Sequence, residues 1–177
     1  MRDRRSIRLQ GYDYSRAGVY FVTICTHDRE LFFDDPSIRQ IAEECWLAIP
    51  AHFPRVRLDE WVVMPSHLHG ILAFEEWQGR GVQLNALTAI PSQPRNHDNR
   101  FSVISPRSGT VGVVVRTYKA AVTASCRRWG RDEFGWQRNY HDHIVRDAAE
   151  LVRIRRYIRA NPLNWETDEN NPANVRS

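Results

Sequence analysis

Two strand-like runs lie next to each other in the middle of the chain, over residues 57–64 and 67–74, with only Pro65 and Ser66 between them. The stretch from Trp61 to Phe74 is an apolar, strand-like run that polar residues interrupt. A link this short joins neighbouring antiparallel strands and leaves no room for a crossover. The sequence therefore predicts a β-hairpin, and the rest of the chain has to be arranged around it.

The second arm of this hairpin carries His67 and His69, separated by one residue. Successive side chains of a strand point to opposite faces, so the two imidazoles share one face, while Leu68, Gly70 and Leu72 point the other way, toward a core. Two neutral imidazoles placed in this way can bind one divalent ion without bending the backbone. Two solvated histidines on the open face of a sheet would give the same pattern, and the spacing alone does not choose between these interpretations.

Patterns on both sides of the hairpin predict the other elements. Residues 19–26 form an apolar run that is typical of a central strand. Asp34 or Asp35 caps a helix that has Pro36 in its first turn and ends at Pro50. The remaining elements are a helix over 109–128, a short strand over 134–136, and a last helix over 147–160 that Asp147 caps and Pro162 stops.

The resulting order, β-α-β-β-α-β-α, begins with the six elements of the split β-α-β, ferredoxin-like fold. The predicted fold class is therefore α+β, an antiparallel sheet with helices packed on one face, plus a C-terminal helix. In this fold the first strand lies centrally, beside the strand that carries the histidines. At 177 residues one domain is expected. It spans 19–165, with a basic arm at 1–18, a polar loop or insertion at about 77–108, and a polar tail at 166–177.

The last predicted helix combines an apolar face with two polar side chains on its flank. Leu151, Ile154 and Ile158 define the face that packs on the sheet. Tyr157 and Asn161 are four residues apart and lie together on one flank of that face. A nucleophile and a third metal ligand would need this placement, but a tyrosine at the edge of a core and an asparagine at a helix end would also fit it.

Arginine dominates the basic residues. Lys119 is the only lysine among 25 basic residues, and the net charge is +4. Guanidinium groups bind phosphate oxygens bidentately and stack on bases, which favours nucleic acid as a partner. Codon bias in a GC-rich genome would give the same composition. In the arm, Tyr12 and Tyr14 alternate with arginines, a pattern that suits either a strand-binding arm or a solvated terminus.

The three cysteines, Cys25, Cys45 and Cys126, show no C-x-x-C spacing and are odd in number. They indicate neither a disulfide framework nor a zinc ribbon. No apolar run approaches the ~20 residues of a membrane-spanning helix. We therefore expect a cytoplasmic protein.

Several separated motifs resemble one known family. They are WVVMPSHLHG at 61–70, WQRNYHDHIVR at 136–146 and RYIRANPLNW at 156–165, together with RLQGYDY at 8–14 and GVYFVTI at 18–24. In this order they are similar to the IS200/IS605-type single-tyrosine HUH transposases, and most similar to the REP-associated tyrosine transposases. The resemblance covers nearly the whole chain except about 77–105 and the tail after residue 165.

The resemblance implies an enzyme that cuts and rejoins single-stranded DNA. Its metal, Mg²⁺ or Mn²⁺, would be held by His67 and His69, with Asn161 where many relatives carry glutamine. Tyr157 would attack the scissile phosphate, giving a 5′-phosphotyrosine and a free 3′-OH. This ester conserves bond energy, so rejoining needs no ATP.

Neighbouring residues receive secondary roles under this resemblance. His143 would be a supporting residue near the site. Tyr140 is the rival nucleophile, because it lies close to His141 and His143, although it precedes the last helix. Such enzymes bind imperfect hairpins, with base stacking from Tyr12, Tyr14 or Trp77. The candidate contacts to the DNA backbone are Arg4, Arg5, Arg8, Arg116, Lys119, Arg127 and Arg128.

Two other functions fit the same residues. One is a non-catalytic protein that binds hairpin DNA or RNA on the same fold. The other is a metal-dependent phosphoesterase that uses an activated water. Some family members exchange the last helix across a homodimer, whereas REP-associated relatives can act alone, so the sequence leaves the oligomeric state open.

Overall fold

A computed structural model of the chain describes residues 17–75 and 110–174. Within these ranges the sheet is antiparallel and four-stranded, in the order β2-β3-β1-β4. The strands are β1 (Gly18–Cys25), β2 (Val56–Met64), β3 (His67–Phe74) and β4 (His141–Val145). The predicted hairpin is confirmed as β2 and β3, and β1 lies beside β3 in the middle of the sheet, as expected for a ferredoxin-like fold.

Four α-helices accompany the sheet in the described part of the chain: α1 (Pro36–Leu47), α2 (Ile49–His52), α3 (Val111–Arg128) and α4 (Ala148–Ala160). The predicted caps are confirmed, because the carboxylate of Asp35 accepts from the backbone N–H of Ser37, and that of Asp147 from Glu150. Pro50 does not end α1; it lies in the first turn of α2, where its missing N–H has no helical partner to lose. None of the described helices is long and apolar enough to cross a membrane.

The main core lies between one face of the sheet and the two helices α1 and α3. It includes Tyr20 and Val22 of β1, Leu68 and Leu72 of β3, and the fully buried Trp46 of α1. On β3, Leu68 and Leu72 alternate with the two histidines, so the predicted division of β3 into a core face and a histidine face is confirmed. α4 packs on the other face, mainly against β2.

Gly70 allows α1 to approach the sheet. A Cβ atom at this position would lie 2.3 Å from Cζ2 of Trp46, well inside van der Waals contact. The indole of Trp46 therefore occupies the space that any side chain at position 70 would fill.

The short strand predicted over 134–136 is wrong. Trp136 makes only an isolated bridge to Thr26, and the fourth strand begins later, at His141. The ring of Trp136 joins an aromatic cluster with Phe33, Phe134 and Tyr118. This packing places residues 134–136 against the helices. Burial of these rings stabilises the segment more than the hydrogen bonds of a strand pair would at this position.

The predicted arm at 1–18 and loop at 77–108 lie almost entirely outside the described residues. The predicted DNA-contacting residues that lie outside the described ranges are Arg4, Arg5, Arg8, Tyr12, Tyr14 and Trp77.

The substitution Gly70→Ala is expected to lower the free energy of unfolding by about 1–3 kcal/mol, because Trp46 cannot move away without opening the core. Urea unfolding followed by tryptophan fluorescence measures this loss. Gly130→Ala is the matched control: its φ of 71° costs strain, but nothing lies near its Cβ. An equal loss in the two variants would contradict the role given to Gly70.

Candidate active site

Two buried imidazoles face each other on the α4 side of β3. His67 and His69 are fully or almost fully buried, and their Nε2 atoms are 3.0 Å apart. Alternation along β3 places both rings on the face opposite Leu68, where the rings of Tyr157 and Trp165 lie beside them. The interpretation of two solvated histidines is therefore wrong.

Hydroxyl groups of Ser66 and Thr23 lie beside Nδ1 of the two rings. Ser66 donates its hydroxyl hydrogen to the carbonyl oxygen of Asn170 at 2.8 Å. The hydroxyl oxygen of Ser66 lies 3.3 Å from Nδ1 of His67 and can therefore only accept a hydrogen bond from it. Nδ1 of His69 lies 2.8 Å from Oγ1 of Thr23, which can accept in the same way. With hydrogen on Nδ1, both rings direct the lone pair of Nε2 into the gap between them.

Burial keeps both rings neutral. It lowers the pKa of His67 to about 3, with a smaller contribution from the positive charge of Arg29. It also lowers the pKa of His69 to about 3, helped by the neighbouring His67. Two neutral acceptors that face each other at this distance repel unless a hydrogen or a cation lies between them, and neutral imidazole is the form that binds metals.

Tyr157 approaches the same gap from α4. Its hydroxyl oxygen is 3.3 Å from Nε2 of His69, and its ring packs edge-on against the rings of His69 and Phe21. The side chain remains 44% exposed, so the phenol is reachable from solvent. Burial raises the pKa of the phenol and the negative charge of Asp168 raises it further, whereas a hydrogen bond from Asn161 lowers it.

Two ion pairs hold α4 over the sheet. The register of β2 and β3 shifts between Leu58 and Trp61, and this bulge carries Asp59 and Glu60. Arg155 of α4 donates from Nε to Oδ1 of Asp59 at 3.0 Å, and Arg159 from Nε to Oε2 of Glu60 at 2.8 Å. A bulge redirects side chains out of the regular ladder. The helix that carries Tyr157 is thus fastened to a strand of its own chain.

Asn161 lies at the carboxyl end of α4, one turn after Tyr157. It is almost fully buried, and its Oδ1 atom has no hydrogen-bond partner in the described structure. An amide oxygen without a partner in a buried site costs free energy unless a ligand satisfies it. Its placement fits the predicted third ligand.

Asp168 is a site residue that the sequence did not indicate. Residues 166–177 were predicted as a polar tail, but the chain continues from the 3₁₀ helix Asn161–Thr167 back to the sheet and buries Asp168, Asn170 and Asn171. Oδ2 of Asp168 lies 3.8 Å from Nε2 of His67, and the donor atoms of His67, His69 and Asp168 all lie within 4.8 Å of one another. The one available signal was Trp165, whose ring lies near that of His67 and anchors the segment.

The other predicted residues lie farther from this gap. His143 shares the histidine face, since it pairs with Phe21, but its Nε2 bonds Oε1 of Glu150 at 2.8 Å. Tyr140, the rival nucleophile, packs against the main core on the opposite face.

The basic residues of α3 also lie on the face opposite to Tyr157, because α3 covers the main core. Lys119 is partly buried and donates to the carbonyl oxygens of Gln137 and Arg138, so it fastens the segment before β4. Burial lowers its pKa. The remaining three are exposed: Arg116, Arg127 and Arg128.

Comparison with known proteins gave one relative and one solved structure of note. No family model matches the chain. An uncharacterized protein of Haemophilus influenzae is 38% identical over 177 aligned residues, which cover 94% of this chain and 92% of the relative. The structure of a REP-associated tyrosine transposase bound to a REP hairpin is 18% identical, with a TM-score of 0.60 over 90% of this chain and 74% of that chain. At this identity the likeness shows a shared fold.

The neutral histidine pair predicts a pH dependence of stability. Their folded pKa values of about 3 lie below the ordinary 6.5, so the unfolded chain takes up protons that the folded chain does not. Stability is then fully present above pH ~6.5 and is lost as the pH falls, by at most about 1.4 kcal/mol per pH unit for each histidine.

Urea unfolding in the presence of EDTA, between pH ~7 and ~5, tests this, because carboxylates titrate mainly below that window. The double variant His67→Gln, His69→Gln is the control and should lose the slope. The same slope in both proteins would contradict the assignment.

Proposed function

Because the chain belongs to one family with the Haemophilus influenzae protein and has the fold of a REP-associated tyrosine transposase, we propose that it is a transposase-type strand transferase for single-stranded DNA with hairpin elements. The observation that carries this proposal is the position of the Tyr157 oxygen, 3.3 Å from the buried histidine pair and partly open to solvent. A phenol beside a group of metal-binding donors is the arrangement that a tyrosine nucleophile needs.

The donors present fit a divalent cation such as Mg²⁺ or Mn²⁺. Two imidazole lone pairs, the carboxylate of Asp168 and the partnerless oxygen of Asn161 come from one buried region. Carboxylate and amide oxygens suit hard cations, and imidazole suits Mn²⁺ better than Mg²⁺. We propose that His67, His69 and Asp168 hold the cation, with Asn161 as a fourth donor. When bound, it would neutralise charge on the oxygens of the scissile phosphate.

The reaction forms one bond and breaks another. The phenol of Tyr157 gives up its proton to solvent as its oxygen attacks phosphorus, the bond from phosphorus to the 3′ oxygen breaks, and the 3′ oxygen leaves as a hydroxyl after taking up a proton from solvent. The product is a 5′-phosphotyrosine, and attack by a 3′-OH on this ester reverses the step without ATP. Burial, followed by the negative charge of Asp168, raises the pKa of the phenol above its ordinary ~10. The hydrogen bond from Asn161 acts in the opposite direction, favours the phenolate and so assists the attack.

The remaining contacts keep the nucleophile in place. Phe21 and His69 hold the ring of Tyr157 from two sides. The ion pairs of Arg155 and Arg159 fix the helix from which it projects. Since all of these residues belong to one chain, we propose that a monomer assembles the complete site.

A covalent adduct tests this function directly. With a hairpin oligonucleotide copied from inverted repeats that flank the gene, and with Mn²⁺, the chain should form a protein–DNA adduct stable in denaturing gels. Tyr157→Phe is expected to abolish the adduct, since no oxygen remains to attack, while hairpin binding stays within about twofold.

Tyr140→Phe is the matched control and should keep the adduct. Loss in Tyr140→Phe with retention in Tyr157→Phe would reverse the assignment. Hairpin binding without any adduct would favour the non-catalytic binding protein, and cleavage that survives loss of both tyrosines would favour a phosphoesterase.

The cation site has its own test. Mn²⁺ binding measured by electron paramagnetic resonance needs no DNA and no turnover. Asp168→Asn and His69→Gln are expected to weaken Mn²⁺ binding by at least about tenfold, and Ser66→Ala by about tenfold, because it frees the tautomer of His67. Unchanged binding in Asp168→Asn would remove that residue from the site.

A further inference from the structure

One row of side chains crosses the sheet from the histidine pair to its β4 edge. Thr23 of β1 pairs with His69 on one side and with His141 on the other. Paired residues in antiparallel strands point to the same face, so His141 shares the face of the candidate active site. Neighbouring strands lie ~4.8 Å apart, which puts the backbones of His69 and His141 about 10 Å from each other. His141 is exposed.

Arg153 lies on the flank of α4 that carries the nucleophile. It precedes Tyr157 by four residues, so both project from the same side of the helix, one turn apart. Arg153 is exposed. Arg155 and Arg159 point the other way and are engaged with Asp59 and Glu60 of β2.

Glu150 lies three residues before Arg153 on α4. It accepts from Nε2 of His143 with one oxygen, and from the backbone N–H of Arg146 with the other. Neither of these hydrogen bonds involves Arg153. Among the described elements α4 packs mainly against β2, which leaves the approach to the phenol on the side of β1 and β4 in this part of the chain.

Resting on the strand transfer proposed above, we propose that His141 and Arg153 bind backbone phosphates of the substrate strand on either side of the phosphate that Tyr157 attacks. The guanidinium group of Arg153 offers two parallel donors to phosphate oxygens, and the imidazole of His141 offers one. The strand then crosses the sheet above β1 and β4, with Phe21 beneath it. These two residues position the strand and take no part in bond making.

A path of the DNA strand over α3 would lie on the other face of the sheet. Arg127 and Arg128 are exposed there, but they lie on the opposite face of the sheet from Tyr157. A short strand held at the phenol passes His141 and Arg153 and not these arginines.

The test for Arg153 uses full-length chain in the Tyr157→Phe background, so that binding is measured without chemistry. The probe is a fluorescent single-stranded oligonucleotide with one hairpin and an unpaired extension. Arg153→Ala is expected to weaken binding about tenfold and to reduce the slope of log K against log salt concentration by about 0.7. Arg153→Lys keeps the charge and should restore the slope, which a merely structural defect would not allow.

Arg128→Ala is the matched control, an exposed arginine on the far face, and should leave affinity and slope unchanged. If Arg128→Ala weakens binding and Arg153→Ala does not, the strand runs over α3 and the inference is overturned.

The test for His141 replaces single phosphates of the probe by neutral methylphosphonates. At one position next to the scissile phosphate, the replacement should weaken binding of the probe to the parent chain severalfold. The same replacement should not weaken binding to the His141→Ala variant any further. Additive losses at every position would overturn the role of His141.

The inference and the proposed function can fail separately. If the unaltered chain forms the adduct while Arg153→Ala and His141→Ala behave like the parent, only the inference fails. If the unaltered chain neither binds the probe nor forms an adduct, both fail.

Discussion

The alternation of side chains along β3 is the constraint on which the rest of the structure depends. Leu68, Gly70 and Leu72 face the core and seat α1 through Trp46, while His67 and His69 face the opposite side. The same strand therefore serves the main core with one face and the candidate active site with the other. A shift in register by one residue would exchange these faces. The stability of the core thus fixes the place of the two imidazoles.

The phenol of Tyr157 reaches the imidazoles because contacts elsewhere on α4 hold this helix against the sheet. Ile158 supplies the buried apolar contact, and Arg155 and Arg159 reach the carboxylates of the β2 bulge. Exposed ion pairs contribute little to stability, about 0–1 kcal/mol each. Their value here is geometric, because two pairs on one flank of the helix fix its rotation. That rotation turns Tyr157 toward His69, while its ring stays half open to solvent.

The buried polar groups carry an energetic cost that the proposed function explains. Two neutral imidazoles and the carboxylate of Asp168 lie in one small region, and the partnerless oxygen of Asn161 is buried one helical turn after Tyr157. A fold selected for stability alone would fill that region with apolar side chains. In the proposed function a divalent cation would satisfy these atoms together, and it would compensate the negative charge of Asp168, which opposes ionisation of Tyr157.

The order of strands and helices, the two faces of β3 and the caps at Asp35 and Asp147 follow from the sequence, because periodicity and capping are local properties. So does the choice of Tyr157 and Asn161 as neighbours on one helix flank. The fourth strand, the bulge at Asp59 and Glu60 and the return of Asp168 to the histidines do not follow. Each depends on contacts between residues far apart in the chain, such as the aromatic packing of Trp136 and the contact of Trp165 with His67. Local sequence states which residues can share a face, but only tertiary packing decides which faces meet.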